Sequence, residues 1–446
     1  MSPDAPLDAP SPQPVLPPDD PMRLALHNEV HARPTLRIRL PALLTYVAVL
    51  NQGVTRAQEL AHLQALPGQQ GLTDADVRGH FLRLRLADLT IKWERHTEFT
   101  RYTIVQPLPG GVRLDQPNPD LLTGLPVPPG WLAGVPGCTV AAVQLVMPVV
   151  PLDDPDALMA QAQAWLGGRP VVASQMGGGH SWVVTDFHVR PDGFERVLVL
   201  APPGTTQTRA GRVSMRVLEL ETYRLMALRG LPVAKQLGPE LGMAERELAA
   251  LTANLDAKTT SEQGLLDQLI GLAASVERAT AEHSYRFAAT RAYDALVQQR
   301  ITELREKAIP GTQTVGEFMR RRLSPAMATV SSTEQRLVSL SGRVFRASAL
   351  LRTRVDIATE GQNQQLLEKL TRGQELQLRL QSTVEGLSIA AISYYVVSLL
   401  LYGFKALKTL GLPVQPEFAA GACIPVVLWG VWRTTRRIHD KLHASH

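Results

Sequence analysis

The chain has 446 residues, 45% of them hydrophobic and 20% charged, which excludes a wholly disordered or fibrous molecule and is too long for one ordinary core. Its net charge of +5 does not single out a nucleic-acid partner. Four of the cations, Arg433, Arg436, Arg437 and Lys441, crowd the C-terminal end, where anionic lipid headgroups account for them better, so no nucleic acid is expected. Two cysteines, Cys138 and Cys423, exclude a disulfide framework and a cysteine zinc site, and fit a reducing compartment.

Residues 1–20 contain seven prolines and four aspartates, with neither the basic start nor the apolar core of a signal peptide, and are expected to be a disordered tail. A short helix is expected over 22–32, ended by Pro34. The alternation LRIRL at 36–40 and the apolar run at 43–50 predict two strands. Thr55 is placed to cap a helix over 56–66, and Thr73 to open another through about residue 82. Strands follow over 84–94 and 98–106, then a loop rich in proline and glycine over 107–136. A buried strand at 139–148, a helix at 153–166, and strands at 171–176, 181–190 and 196–200 complete an α/β or α+β domain of mixed sheet over 21–204.

From 205 to 385 the pattern is helical and reads as a stalk domain, with helices to about 229 and over 233–251, 261–308, 315–322 and 325–380. Leu337, Leu340, Val344, Ala347, Leu351, Arg354 and Ala358 recur at spacings of 3 and 4, a seam of coiled-coil type with one charged intrusion, which predicts a homo-oligomer. A 19-residue stretch without formal charge, 386–404, and a second at 418–432 predict a transmembrane hairpin over 386–432, followed by a basic cytosolic tail at 433–446. Lys369, Arg372, Arg379, Arg433, Arg436, Arg437 and Lys441 flank the hairpin, against Lys405 and Lys408 in its loop. That asymmetry predicts both termini in the cytoplasm and the loop in the periplasm, an inner-membrane hairpin with the lipid bilayer as partner.

Several polar motifs are candidate sites. His27 and His31 lie four apart and share a helix face, as two metal ligands would, with Glu29 pointing elsewhere and Arg33 in reach of Glu29. The competing reading is a hydrogen-bonded helix packed on the domain. Trp93 to Glu98 form a polar turn in which His96 is a candidate third ligand, set against an ordinary solvated hairpin. Gly177 to Gly179 followed by His180 offers backbone N–H groups to a phosphate, but a strand follows where a phosphate loop wants a helix, which favours a glycine-rich hairpin. Asp186 and His188 alternate onto one strand face, as an acid/base pair or as the wet side of a sheet. No nucleophile elbow, dinucleotide fingerprint or kinase signature occurs, and no cofactor is named by the sequence.

Four segments carry a resemblance: LHNEVHARP at 26–34, WERHTEFTRYT at 93–103, GGGHSWVVTDFH at 177–188, and the stretch from RTRVDIATEGQ into LSIAAISYYVV at 352–397. Together they resemble an uncharacterised bacterial family of predicted membrane-anchored proteins carrying a domain of unknown function, which implies an anchor and supplies no reaction. The arrangement of a sheet domain, long helices and a C-terminal hairpin is also similar to CorA-like magnesium channels, whose Tyr-Gly-Met-Asn junction matches at Tyr402 and Gly403. Lys405 stands at the Asn position, and a lysine at a cation-channel mouth repels Mg²⁺. The expected function is therefore a membrane protein of unknown activity, acting as sensor, scaffold or regulator. The alternatives are a divalent cation channel lined by Ser388, Ser393 and Ser398, and a metal-dependent hydrolase using His27, Glu29 and His31, which leaves enzymatic activity open.

Overall fold

The computed structural model describes residues 17–31, 35–257, 261–409, 413 and 415–443. Most of the expected N-terminal tail, and Arg33, lie outside them, as do the side chains of Glu29 and His31. The chain forms two compact units, one within Met1–Ala253 and Leu269–Phe345, the other within Asn254–Gln268 and Arg346–His446.

The first unit is built on a mixed sheet of nine strands: β1 Ala42–Leu50, β2 Phe81–Leu86, β3 Leu89–Arg95, β4 Phe99–Pro107, β5 Cys138–Met147, β6 Val172–Met176, β7 Ser181–Thr185, β8 Glu195–Leu200 and β9 Lys307–Ala308. Their order is β2-β3-β4-β1-β5-β8-β7-β6-β9, with β5 and β8 parallel and the other neighbours antiparallel. β1 is apolar at nearly every position because it is central, paired on both sides, and covered on both faces. Leu43, Val47 and Val49 face one side. There α2 (Arg56–Gln64) and the 108–136 segment bury Leu63, Trp93, Tyr102 and Trp131, and α4 (Pro155–Trp165) buries Trp165, Trp182 and Leu198.

The other face meets α5 (Gln207–Leu228), where Tyr46 and Thr222 share a hydroxyl hydrogen bond of 2.6 Å. Gly211 lets α5 approach so closely that an added Cβ would lie 1.7 Å from the Leu36 carbonyl oxygen. A buried charged belt lies on this face. Glu94 accepts from Arg101 and from Lys92 at 2.9 Å, while Glu219 accepts from Arg101 at 3.1 Å and from Arg300 of α7 (Glu262–Leu304) at 2.7 Å. Burial pushes the Glu94 carboxyl up, but Arg101 and Lys92 outweigh it and hold the group at about 2.

The long helix α8 (Val315–Thr409) begins at this sheet. The Glu306 carboxylate accepts from Ser174 Oγ (3.0 Å), Thr314 Oγ1 (3.1 Å) and the Gly316 N–H (3.0 Å), and Ser174 Oγ accepts from the Val315 N–H. The donors that a helix start leaves open are thus filled by the sheet edge.

Several sequence expectations are corrected. Residues 36–40 form no strand; Leu36 and Ile38 are buried while the Ile38 N–H donates to Gln207 O at the start of α5. The helix opened by Thr73 is a single turn, α3 (Asp74–Val77), because Phe81 already pairs with Glu94. The strand expected at 84–94 is broken by a turn at Ala87 and Asp88, with Ala87 at φ +44°, a left-handed position the sequence does not mark with glycine or asparagine. β7 stops at Thr185, whose hydroxyl donates to Arg196 O, and Phe187 takes φ +48°. α7 ends at Leu304, and Lys307–Ala308 pairs with β6 instead of continuing the helix. Pro325 does not divide α8: burial of Leu323, Met327 and Val330 offsets the about 3 kcal/mol that an interior proline costs.

In the second unit Leu351 is buried, but the rest of α8 leaves most of its large apolar side chains open, among them Leu387, Tyr395 and Leu399 at about two-thirds exposure or more (67%, 67% and 70%). Among the described residues one helix, α8, is long and apolar enough to cross a membrane. α9 (Pro416–His443) carries the second apolar stretch, with Pro425 inside it.

Candidate functional site

Among the described residues the sequence-derived candidates do not assemble into one centre, while Arg33 and the side chains of Glu29 and His31 lie outside them. His27 is exposed on α1 (Arg23–His31). Trp93 is fully buried and paired across the sheet with Tyr102, so its aromatic ring belongs to the core. His96 occupies the β3–β4 turn, stacked on Phe99 at 4.6 Å, and its carbonyl accepts from Asn51 Nδ2 at 2.8 Å. Among the described residues no group of three or more His, Cys, Asp or Glu side chains is placed to hold a metal ion.

The glycine turn is committed to structure. Gly177 and Gly178 donate their N–H groups to Leu304 O and Arg305 O at the end of α7, and Gly179 and His180 donate to Met176 O. With φ between +62° and +113° the three glycines make a turn that most other residues would strain, and its donors are already used rather than offered to phosphate. Burial, then Arg209, lowers the His180 pKa. Asp186 and His188 lie beyond the end of β7, not on a strand face. Asp186 pairs with Arg190 at 3.2 Å and accepts the His188 backbone N–H at 3.3 Å, and the His188 side chain is exposed. Tyr402, Gly403 and Lys405 lie inside α8, with Lys405 Nζ 5.9 Å from the centre of the exposed Tyr402 ring.

Two sites emerge that the motif reading missed. The first is a buried carboxyl pair. Glu195 of β8 and Glu221 of α5 share a hydrogen bond, with Arg224 bound to Glu221 and 3.4 Å from Glu195. The Arg224 guanidinium lies 5.2 Å from the centre of the Phe187 ring, which stacks on Phe318 at 4.5 Å. Burial first, then the negative charge of Glu221, pushes the Glu195 pKa up to about 9. Two carboxyls and one arginine therefore hold one proton between them. The adjoining cavity is about 10 Å³, room for about one water and no substrate. A glutamate and an arginine opening the strand ERVLVL, fully buried along its length, were the sequence signal.

The second site is a cleft beside the β3–β4 turn. One hollow, of about 400 Å³, is lined by Asn51, Arg95, Glu98, Arg229 and Arg286 among others. A second, of about 350 Å³, shares Arg95 and Thr97 and adds the rings of His80, His96, Tyr223 and Tyr293. Arg95 is fixed by Glu59 at 2.6 Å and by Val54 O at 2.8 Å, and Arg286 is paired with Glu98. Arg229, the cap residue ending α5, is exposed, and its guanidinium has no hydrogen-bond or ion-pair partner among the described residues. Arg95 to Glu98 belong to the polar turn singled out in the sequence, but Arg229 and Arg286 lie more than 130 positions beyond it and meet it only through the sheet and helix packing, which is why no motif marks the cleft as a whole.

No curated protein matches the chain. A family model described as a protein of unknown function (DUF3422) matches residues 18–442, and the chain belongs to that family.

Proposed function

We propose that this member of a family of unknown function is an integral inner-membrane protein whose sheet-bearing unit acts as a sensor or regulator rather than as an enzyme. The observation that carries the anchor is the 386–404 segment. It is helical and free of formal charge, and it leaves Leu387, Tyr394, Tyr395, Leu399 and Tyr402 each about two-thirds exposed or more (67%, 71%, 67%, 70% and 68%). Water does not tolerate an apolar surface of that size, whereas a bilayer covers it without rearrangement. α9 completes a hairpin in this reading, with Trp429 and Trp432 at the cytosolic interface beside Arg433 and Arg436, whose guanidiniums already lie 4.9 and 5.1 Å from those rings. Both termini then face the cytoplasm, and stalk helices of neighbouring copies associate.

The sensor role is supported by the cleft, an open polar hollow on a rigid sheet. Alkaline carbonate washing of membranes containing the full chain tests the anchor. The chain should stay with the membrane pellet, and a chain ending before Gly386 should be released. Release of the full chain would remove this reading.

A further inference from the structure

The geometry points to the cleft beside the β3–β4 turn as a binding site for a small soluble phosphate monoester. The charge balance of the larger hollow is the first argument. Arg95, Arg229 and Arg286 stand against Glu98 and against the Glu59 that pairs with Arg95, an excess of one positive charge, which draws an anion. Committed bonds are the second. Glu59 and Val54 O already occupy Arg95, which makes it a fixed wall. Glu98 takes part of Arg286, whose Nη1 is buried without a hydrogen-bond partner. Arg229 brings a whole guanidinium to the rim with no acceptor assigned to it. A planar guanidinium binds a phosphate through two parallel N–H donors, stronger than neutral hydrogen bonds, so Arg229 is the recognising group and Arg286 its neighbour.

Size and wall chemistry narrow the ligand. A hollow of about 400 Å³ falls within the range of small-molecule sites. Leu50 is the one aliphatic side chain in its lining, so an acyl chain finds no groove there, which favours a soluble phosphate over a lipid. The second hollow, across Arg95 and Thr97, offers Tyr293 and His96 to the body that carries the phosphate. This inference deepens the sensor reading by naming its ligand class. It is tested apart from the anchor, since carbonate washing leaves the cleft untouched and phosphate binding leaves the anchor untouched.

The test is calorimetric titration of the full chain in detergent with inorganic phosphate, glucose 6-phosphate and AMP, against sodium chloride of equal ionic strength. At least one phosphate should bind where chloride does not, and Arg229→Ala should weaken it about tenfold or more, as expected for a lost charge-assisted hydrogen bond. Arg229→Ala should fold normally, because its side chain is exposed and makes no described contact. Thr97→Val in the shared wall provides a second, independent loss. Binding of none of the three phosphates, equal binding by wild type and Arg229→Ala, or binding to phosphatidylglycerol vesicles alone would each overturn the assignment.

Discussion

Glu195 makes the clearest statement about pH. Its folded pKa of about 9 lies above the ordinary 4.5, so the folded chain keeps a proton that the unfolded chain gives up. The associated stability is whole below about pH 4.5 and is lost as pH rises towards 9. Glu94 works in the opposite sense: held at about 2, it adds stability above pH 4.5 that disappears on acidification. Glu195→Gln keeps the hydrogen-bonding shape without the titration. Denaturant unfolding should show that between about pH 6 and about pH 9 the variant loses at least about 1 kcal/mol less stability than the wild type. An unchanged slope would mean that the proton is held elsewhere. Trp93→Ala, by contrast, should cost about 3–5 kcal/mol through the cavity it leaves, with ligand binding unchanged in whatever fraction stays folded. The sequence marks Trp93 as notable but does not reveal that its ring is inside. It cannot reveal Arg229 at all, because an exposed arginine at a helix end has no local signature and acquires meaning only when α7 is packed beside it.

Helices and central strands were the legible elements. β1, β5 and α4 follow directly from apolar runs and an Asp cap, since local pattern and burial agree there. The misread elements share another cause: packing overrode local preference. Pro325 sits inside α8, Ala87 turns a hairpin at positive φ, and the start of the expected strand at 36–40 instead supplies the carbonyl against which Gly211 packs. That last contact is between backbone and backbone, so it has no side chain to yield. Gly211→Ala should therefore destabilise the sheet-bearing unit by about 1–3 kcal/mol, measurable as a lower chemical-denaturation midpoint. On α8, Leu340 and Leu351 are each about 1% exposed, which makes the sequence seam a buried one at those positions, while Arg354 and Ala358 farther along are exposed. Leu340→Asp should cost at least about 3 kcal/mol, since it removes a buried leucine and leaves an unpaired carboxylate; a stable variant would show that this position tolerates water.

At the scale of the molecule, the proposed C-terminal hairpin is the point on which cellular placement turns. With Cys138 and Cys423 replaced by serine, a cysteine at Gln415 should react with an impermeant thiol reagent from the periplasm, and one at Ser445 should not. Labelling at Ser445 alone reverses the orientation, and labelling at neither makes α9 a re-entrant element. The sheet has a consequence of its own. Its outer strands are β2, whose Arg83 and Arg85 alternate with leucines, and β9, two residues long. An open strand edge invites a stranger's strand and, with it, aggregation. One border here is guarded by repeated positive charge, the other by a stub too short to template anything. β9 comes from a stretch more than 100 residues beyond β8, so it can dock only after α5, α6 (Gly230–Ala257) and α7 have been made. Until then β6 lies bare, and a chain caught at that stage of its synthesis is the form most prone to clump.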